Sequence, residues 1–402
     1  MSLDLHQVVS QIEDMADRLR AERAGRQQQL QDAVELLTGS ADLAELKRKI
    51  EVSKTTWLVA GLVGDLAERT PLPRCPKDFC ILATDGSHID VDRHRTASCY
   101  LINIGTVALR YGNDPEASLS SSPRLYSVRE ELSLSYPLAG NREETLQGAL
   151  LGVKRGVEEC RWLSRLARER EDQAPTLALL DGSLVMWGLA GGSYPDFVLQ
   201  ELLERGFLTY LEEFRELAEA RPLALASYIS FPRSTEVVNV LRVSLCPHEP
   251  ADCDRFCSGD REGTERACDK VAGLQDRELF ANILGLGERS AVFFSRSSIV
   301  QKYYGRHEVC FFYLKLEDEI ARVEIPRWVV EMGLTERAHV LVYDQCRRGK
   351  GYPVALSEAH EKAVVTVADR EHFWEVVEEA LMEKGLSAMG SAKSRSKRTR
   401  WI

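Results

Sequence analysis

Two stretches of the chain end an apolar run on the same three residues. FCILATDGS, Phe79 to Ser87, and LALLDGSL, Leu177 to Leu184, each deliver an aspartate, Asp85 and Asp181, followed by Gly and Ser. Apolar runs of this length bounded by a turn signal predict buried strands. A single Asp-Gly turn needs nothing beyond turn chemistry, but a pair raises a chemical question. If the strands lie side by side and parallel, their carboxyl ends coincide at the edge where open α/β sheets place ligands. Two unpaired carboxylates brought together there repel, and one must take up a proton. A divalent cation removes the conflict, and hard oxygen ligands suit magnesium or manganese. Two ions roughly 3.5–4 Å apart are a standard arrangement for phosphodiester hydrolysis, one activating water and the other stabilising the leaving oxygen.

ATDGS is also similar to phosphatases of the haloacid dehalogenase type, which place a nucleophilic Asp two residues before the Asp of DGT/S. That position here is Ala83. The nucleophile is missing, so this rival fails.

The elements that must position the two aspartates follow from the pattern along the chain. Residues 3 to about 69 read as two helices, with apolar positions recurring at three and four and TGSAD as the break. PLPRCPKD, from Pro71, marks a boundary. TASCYLINIGTVALRYG is long enough for two strands, with Gly105 a bulge or turn. Ser120 to Gly140 reads as a polar loop, and a helix is expected from about Glu143 to Arg170. Helical material over Pro195 to Ala220 and a strand at ALASYIS follow. Then come a cysteine-bearing insertion (about 244–272), strands at SAVFFS and VCFFYLKL, a helix around Arg327, a strand at HVLVYD and a last helix from Glu358. The expectation is an α/β domain of mixed strands with interleaved helices, over about 78–384, preceded by an N-terminal helical arm (1–70) and followed by a basic tail (385–402).

The 402 residues are 44% hydrophobic and 28% charged, ordinary for a soluble globular chain. No apolar stretch approaches the roughly 20 residues of a membrane helix, and the early acid and helical period of MSLDLHQVVSQIEDMADRL are not those of a signal peptide. Ten cysteines without such a signal point to a reducing compartment, the cytoplasm. A net charge of −10 excludes a protein that coats nucleic acid by overall attraction, but not a local basic groove. Arg347, Arg348 and Lys350, within CRRGKGYP, are candidates for one, and SAKSRSKRTRWI is basic throughout. Cys246, Cys253, Cys257 and Cys268 are candidate ligands of a structural zinc, set against the plainer expectation of free thiols in a loop.

Taken in order, ATDGS, a Glu-bearing helix, LLDGSL, ASYIS, GLQDRELFANILGLGERSAVFFS, FFYLKL…IARVEIPRWV and GYPVALSEAHEKAV resemble the NurA nuclease family, from about Phe79 to about Leu381. The resemblance implies an RNase H-like mixed sheet with flanking helices, manganese-dependent cleavage of DNA, a homodimer, and partnership with the hexameric HerA-type ATPase in DNA end resection. It also implies a site made of Asp85, a helix Glu, Asp181, Tyr352 and His360, with Asp85, the Glu, Asp181 and His360 as ligands of one or two manganese or magnesium ions. VKRGVEECRW offers two glutamates for the helix position. Glu159 lies on the side that carries Gly156 and Leu163 and reaches the sheet edge more easily than Glu158, which stays in reserve. The competing reading is a non-catalytic RNase H-like subunit of a DNA translocase complex that retains the carboxylates as remnants.

Overall fold

The computed structural model describes residues 4–39, 42–92, 97–136, 142–170, 173–258 and 266–386. The chain divides into two units, one drawn from 1–72, 230–297 and 310–323, the other from 73–229, 298–309 and 324–402. The expected tail beyond Leu386 lies outside the described residues. Among them, no helix is long and apolar enough to cross a membrane.

The first unit opens with helix α1 (Leu5–Thr38). Its first turns are exposed, and only towards the end do Ala33 and Leu37 become buried. Helix Leu43–Val52 follows, its first turn capped by the Asp42 carboxylate, which accepts from the Ala44 and Glu45 N–H groups. Leu46 and Ile50 join Ala33 and Leu37 in a core with Val237, Leu241, Phe280, Phe293 and Phe311. Residues 1–70 therefore share a core with later segments, because a helix pair buries its apolar stripe only against another layer. The second helix stops at Val52, short of the expected Arg69. Gly61–Leu62 and Arg69–Thr70 form short strands instead, paired with Phe293–Phe294 and Arg289–Ser290. SAVFFS is thus two short strands, not one.

The second unit is built on a five-stranded stretch of mixed sheet. Its strands are β1 (Phe79–Ile89), β2 (Tyr100–Tyr111), β3 (Glu116–Tyr126), β4 (Thr176–Asp181) and β5 (Leu223–Ile229), in the order β5-β4-β1-β2-β3. β1, β2 and β3 form an antiparallel meander. β4 runs parallel to β1, and β5 parallel to β4. This is the mixed sheet with flanking helices that the sequence leads one to expect. Its central strands are apolar almost throughout, as buried parallel strands are.

TASCYLINIGTVALRYG holds one strand, Tyr100–Tyr111, with Gly105 extended near its centre. The first third of the expected loop after Ser120 belongs to β3, and Arg129–Leu132 and Ser133–Tyr136 are a helical turn and a strand. The first DGS lies inside β1, with no turn and no positive φ at Gly86.

Several helices lie against this sheet. Helix α2 (Ala149–Glu169) buries Val153, Val157, Cys160 and Leu163; it begins later than expected, because Arg142–Thr145 pairs as a strand with Ser133–Tyr136. Helix α3 (Thr335–Arg348) contains HVLVYD, which the sequence reading assigned to a strand. A short apolar run cannot by itself distinguish a strand from a helix buried nearly all round, and α3 buries His339 through Val342 and Asp344 through Cys346. Helix α4 (Val354–Ala363) lies close over β1 and β2.

Successive residues of β1 face opposite sides of the sheet. Thr84 and Gly86 face α2: the Thr84 hydroxyl donates to the Glu159 carbonyl at 3.0 Å. Asp85 and Ser87 face α4, whose last carbonyls accept from the Ser87 hydroxyl and, at 2.9 and 3.2 Å, from the Asn103 amide. These bonds satisfy acceptors that a helix end leaves open. Gly105, opposite Asp85 in the register, lets α4 sit this low, since a Cβ there would stand 2.1 Å from the Ala359 carbonyl oxygen.

Candidate active site

The last paired residues of β1 and β4 in the parallel register are Thr84 and Leu180. Asp85 and Asp181 are the next position on each strand, so both carboxylates leave the sheet at one level. β4 ends there, and Gly182, at φ +82°, turns the chain while its N–H donates to the Tyr228 carbonyl at 2.9 Å. The turn is held from below. Glu324, buried, accepts 2.8 Å hydrogen bonds from the Ser183 hydroxyl and the Leu184 N–H. The Tyr304 hydroxyl donates to the Leu184 carbonyl at 3.0 Å and accepts from the Met186 N–H at 2.9 Å.

Glu159 reaches this level from α2. Its side chain lies against Gly86, where a Cβ would come within 2.6 Å of Glu159 Oε1. That contact gives the glycine of the first DGS its physical reason, which is room for a carboxylate. Glu159 Oε1 stands 3.0 Å from Arg155 Nε, an ion-pair distance, yet neither atom has a hydrogen-bond partner in good geometry. Burial raises the Glu159 acid to about 8; Arg155 opposes the shift, and Asp85 and Asp181 add to it. Glu158 turns elsewhere, to Lys154 at 2.7 Å and Arg161 at 3.2 Å. Of the two glutamates, Glu159 stands with the aspartates.

Tyr352 and His360 enter from the segment that carries α4. His360 Nδ1 is 2.7 Å from Asp85 Oδ2, with an exposed imidazole. Tyr352 packs edge-on against Tyr228 at 5.4 Å between centroids. Its hydroxyl donates to Asp181, and its own acidity is suppressed, first by burial and then by that carboxylate. Asp181 is itself raised by desolvation and by Asp85, against the Tyr352 hydrogen bond and His360. The structure therefore brings Asp85, Glu159, Asp181, Tyr352 and His360 to one edge of one sheet.

The donor set is chemically suited to a hard cation, with three carboxylates and one imidazole. The buried Glu159 Oε1 that lacks a hydrogen bond, and the upward shifts of two of the acids, are what oxygen ligands without their ion should display. Among the described residues, no three His, Cys, Asp or Glu side chains are gathered closely enough to enclose an ion. Asp85 is turned to His360 and Glu159 to Arg155. These residues fit magnesium or manganese in kind, with their side chains engaged by protein partners.

Other expected sites are arranged differently. Arg347 and Arg348 both turn to the buried Asp344, at 3.3 and 2.5 Å, and Arg348 also lies over the Tyr111 ring. They close the C-terminal turn of α3, where cations complement the helix dipole. Lys350 follows at φ +55°. Cys246, Cys253, Cys257 and Cys268 are partly exposed and outside any disulfide, and among the described residues they do not converge as zinc ligands. The reason is local: Cys246 ends one helix, Cys253 and Cys257 bracket a single turn, and Cys268 sits on a separate short helix.

Glu324 was not anticipated. The available signal was an acid inside the strand Ile320–Pro326, IARVEIP, apolar but for it and Arg322, the kind of buried charge that requires specific partners.

The sequence matches the NurA domain family over residues 80–365. No curated protein matches significantly. Among solved structures, one likeness is to the crystal structure of LC9-RNase H1, a type 1 RNase H with the type 2 active-site motif, at 7% identity. It covers 53% of this chain and 89% of that chain, with a TM-score of 0.22.

Proposed function

Because the chain belongs to the NurA family of nucleases, we propose that it is a manganese- or magnesium-dependent deoxyribonuclease, acting with a HerA-type hexameric ATPase in resection of DNA double-strand breaks. The observation that carries this reading is that Asp85 and Asp181 stand at the same register level on neighbouring parallel strands, with Glu159 against Gly86. Asp85, Glu159, Asp181 and His360 would hold one or two divalent ions. Such ions supply an activated water and charge stabilisation at the leaving oxygen.

The chain's own residues have separable tasks. Tyr352 fixes the Asp181 carboxylate through its hydrogen bond. His360 orients Asp85 through Nδ1. Glu324 fixes the backbone that follows Asp181.

Asp85→Asn and Asp181→Asn, assayed on linear DNA in manganese, test the reading. Metal catalysis contributes several kcal/mol, so each should lower the cleavage rate at least about 100-fold with unchanged thermal unfolding. Cleavage at the wild-type rate by either variant would favour a non-catalytic scaffold instead.

The reading includes a homodimer in the cytoplasm. Free cysteines agree with a reducing compartment. The exposed part of α1 presents Leu5, Val9, Ile12, Met15 and Leu19 at steps of four and three, the spacing of a helix–helix seam. Ile12→Lys with Leu19→Lys should shift the protein to monomer in analytical ultracentrifugation. An unaltered dimer would exclude α1 as its interface.

A further inference from the structure

On the α2 face of the sheet, the face that carries Glu159, a cleft of about 470 Å³ opens between α2 and β3. Its floor is Ile102 and Ile104 of β2. In the register, Ile104 pairs with Gly86 on one side and Ser122 on the other, and Ile102 with His88 and Arg124. The outer wall on β3 is therefore two strands from Gly86, roughly 10 Å across the sheet. Glu158, which lines the cleft, is the immediate neighbour of Glu159 on α2.

The two walls carry the same device. On β3, Arg124 lies over the Tyr126 ring at 4.6 Å; on α2, Arg165 lies over the Trp162 ring at 5.0 Å. Arg161 adds a third guanidinium, and the sole acid in the lining, Glu158, is buried and already held by Lys154 and Arg161. Arg124 and Arg165 also touch Glu131 and Glu169, in pairs that are substantially exposed. Exposed pairs of this kind are weak and exchange readily for a phosphate. In a chain of net charge −10, this cleft is lined by three arginines and one carboxylate.

We propose that this cleft holds an unpaired segment of the DNA strand next to the site of cleavage, its base lodged between the two arginine–aromatic walls and its phosphates met by Arg124, Arg161 and Arg165. The inference rests on the nuclease reading and names its substrate more narrowly. Bases released from a duplex stack on aromatic rings and guanidinium planes alike. A base inside a duplex is stacked on its neighbours and is not available to two facing walls. The cleft volume is within the range of sites that enclose small ligands.

The test is binding of a fluorescent single-stranded oligodeoxynucleotide, and of the same sequence as a duplex, to the full chain in chelator, read by anisotropy over a salt series. Arg124→Gln with Arg165→Gln should weaken single-strand binding about 10-fold or more, and the log–log salt slope should fall by about one to two. Trp162→Ala should weaken it roughly 5- to 100-fold, whereas Trp162→Phe keeps a stacking face and retains most of the affinity. Duplex binding should change much less. Wild-type single-strand affinity in the arginine pair, Trp162→Phe weakening binding as much as Trp162→Ala, or equal losses on duplex and single strand would each overturn the proposal. Because binding is read without metal, a wild-type protein that proves unable to cut DNA would defeat the nuclease reading without altering this result.

Discussion

Each of the two units buries an acid whose affinity for its proton is raised, and the two acids are answered differently by their surroundings. In the first unit Asp276, wholly buried, is lifted to about 7 by desolvation, against hydrogen bonds from Tyr313, Val238 and Val237. Its oxygens accept from the Val237 and Val238 N–H groups at 3.1 and 2.8 Å and from the Tyr313 hydroxyl at 2.7 Å. Asp276 thereby closes the open amino end of helix Glu236–Leu245, a structural task. In the second unit Glu159 is lifted to about 8, again first by desolvation, and two further carboxylates push in the same direction, as Glu236 does on Asp276. Its Oε1 is buried without a hydrogen bond. A raised acid is therefore not in itself a functional signal, since structural networks also produce one. What separates the two is satisfaction: Asp276 has its donors, and Glu159 Oε1 has only an ion pair with Arg155 outside hydrogen-bond geometry, with two carboxylates nearby.

The comparison breaks most sharply under substitution. Glu159→Gln should lower DNA cleavage in manganese at least about 100-fold, because one of the proposed metal ligands is removed. Its thermal midpoint should change little below pH 8, where the acid is already largely protonated, and rise above it. Asp276→Ala should do the reverse. Leaving two buried N–H groups and a phenol without their acceptor should cost about 3 kcal/mol of unfolding free energy in urea titration, while the folded fraction cuts DNA normally. If Glu159→Gln lost activity only in proportion to lost folded protein, the two acids would belong to one class and the contrast would fall.

The same contrast explains how far the site could be read from sequence. The convergence of Asp85 and Asp181 was legible because both lie at the end of apolar runs of strand length, and a parallel pairing of such strands fixes their level. The choice of Glu159 over Glu158 followed from helical angles and from the small residue beside it. The DGS glycine was misread, since turn chemistry and close approach favour the same residue type. Gly86 is extended and makes room for the Glu159 side chain, whereas Gly182, in the second copy of the motif, does turn the chain at positive φ. HVLVYD was misread because burial on nearly every side erases the period that distinguishes helix from strand. Glu324 escaped notice because its partners, Ser183 and Leu184, are brought to it only by the tertiary fold. The basic run at Arg347 and Arg348 was legible as charge, but not as charge already engaged by Asp344.

A smaller effect separates the two acids by pH alone. Both carry folded values, about 8 for Glu159 and about 7 for Asp276, above their ordinary 4.5 and 3.8. A group raised in this way favours the folded state while it is protonated in both states' range, below its unfolded value. Its contribution erodes as pH rises from there and is lost through the folded value. In chelator, the thermal midpoint of the wild type should therefore decline from mildly acidic pH to about pH 9. Glu159→Gln should remove its share of that decline between pH 4.5 and about 8, and Asp276→Asn its share between pH 3.8 and about 7, so that only Glu159 acts between about 7 and 8. Manganese added at pH 8 should recover stability in the wild type and in Asp276→Asn, because an ion that binds only the folded state stabilises it by mass action. It should recover far less in Glu159→Gln. Equal recovery in all three would mean that the lone pair on Glu159 is not what a cation meets, and the carboxylate beside Gly86 would then be as structural as Asp276.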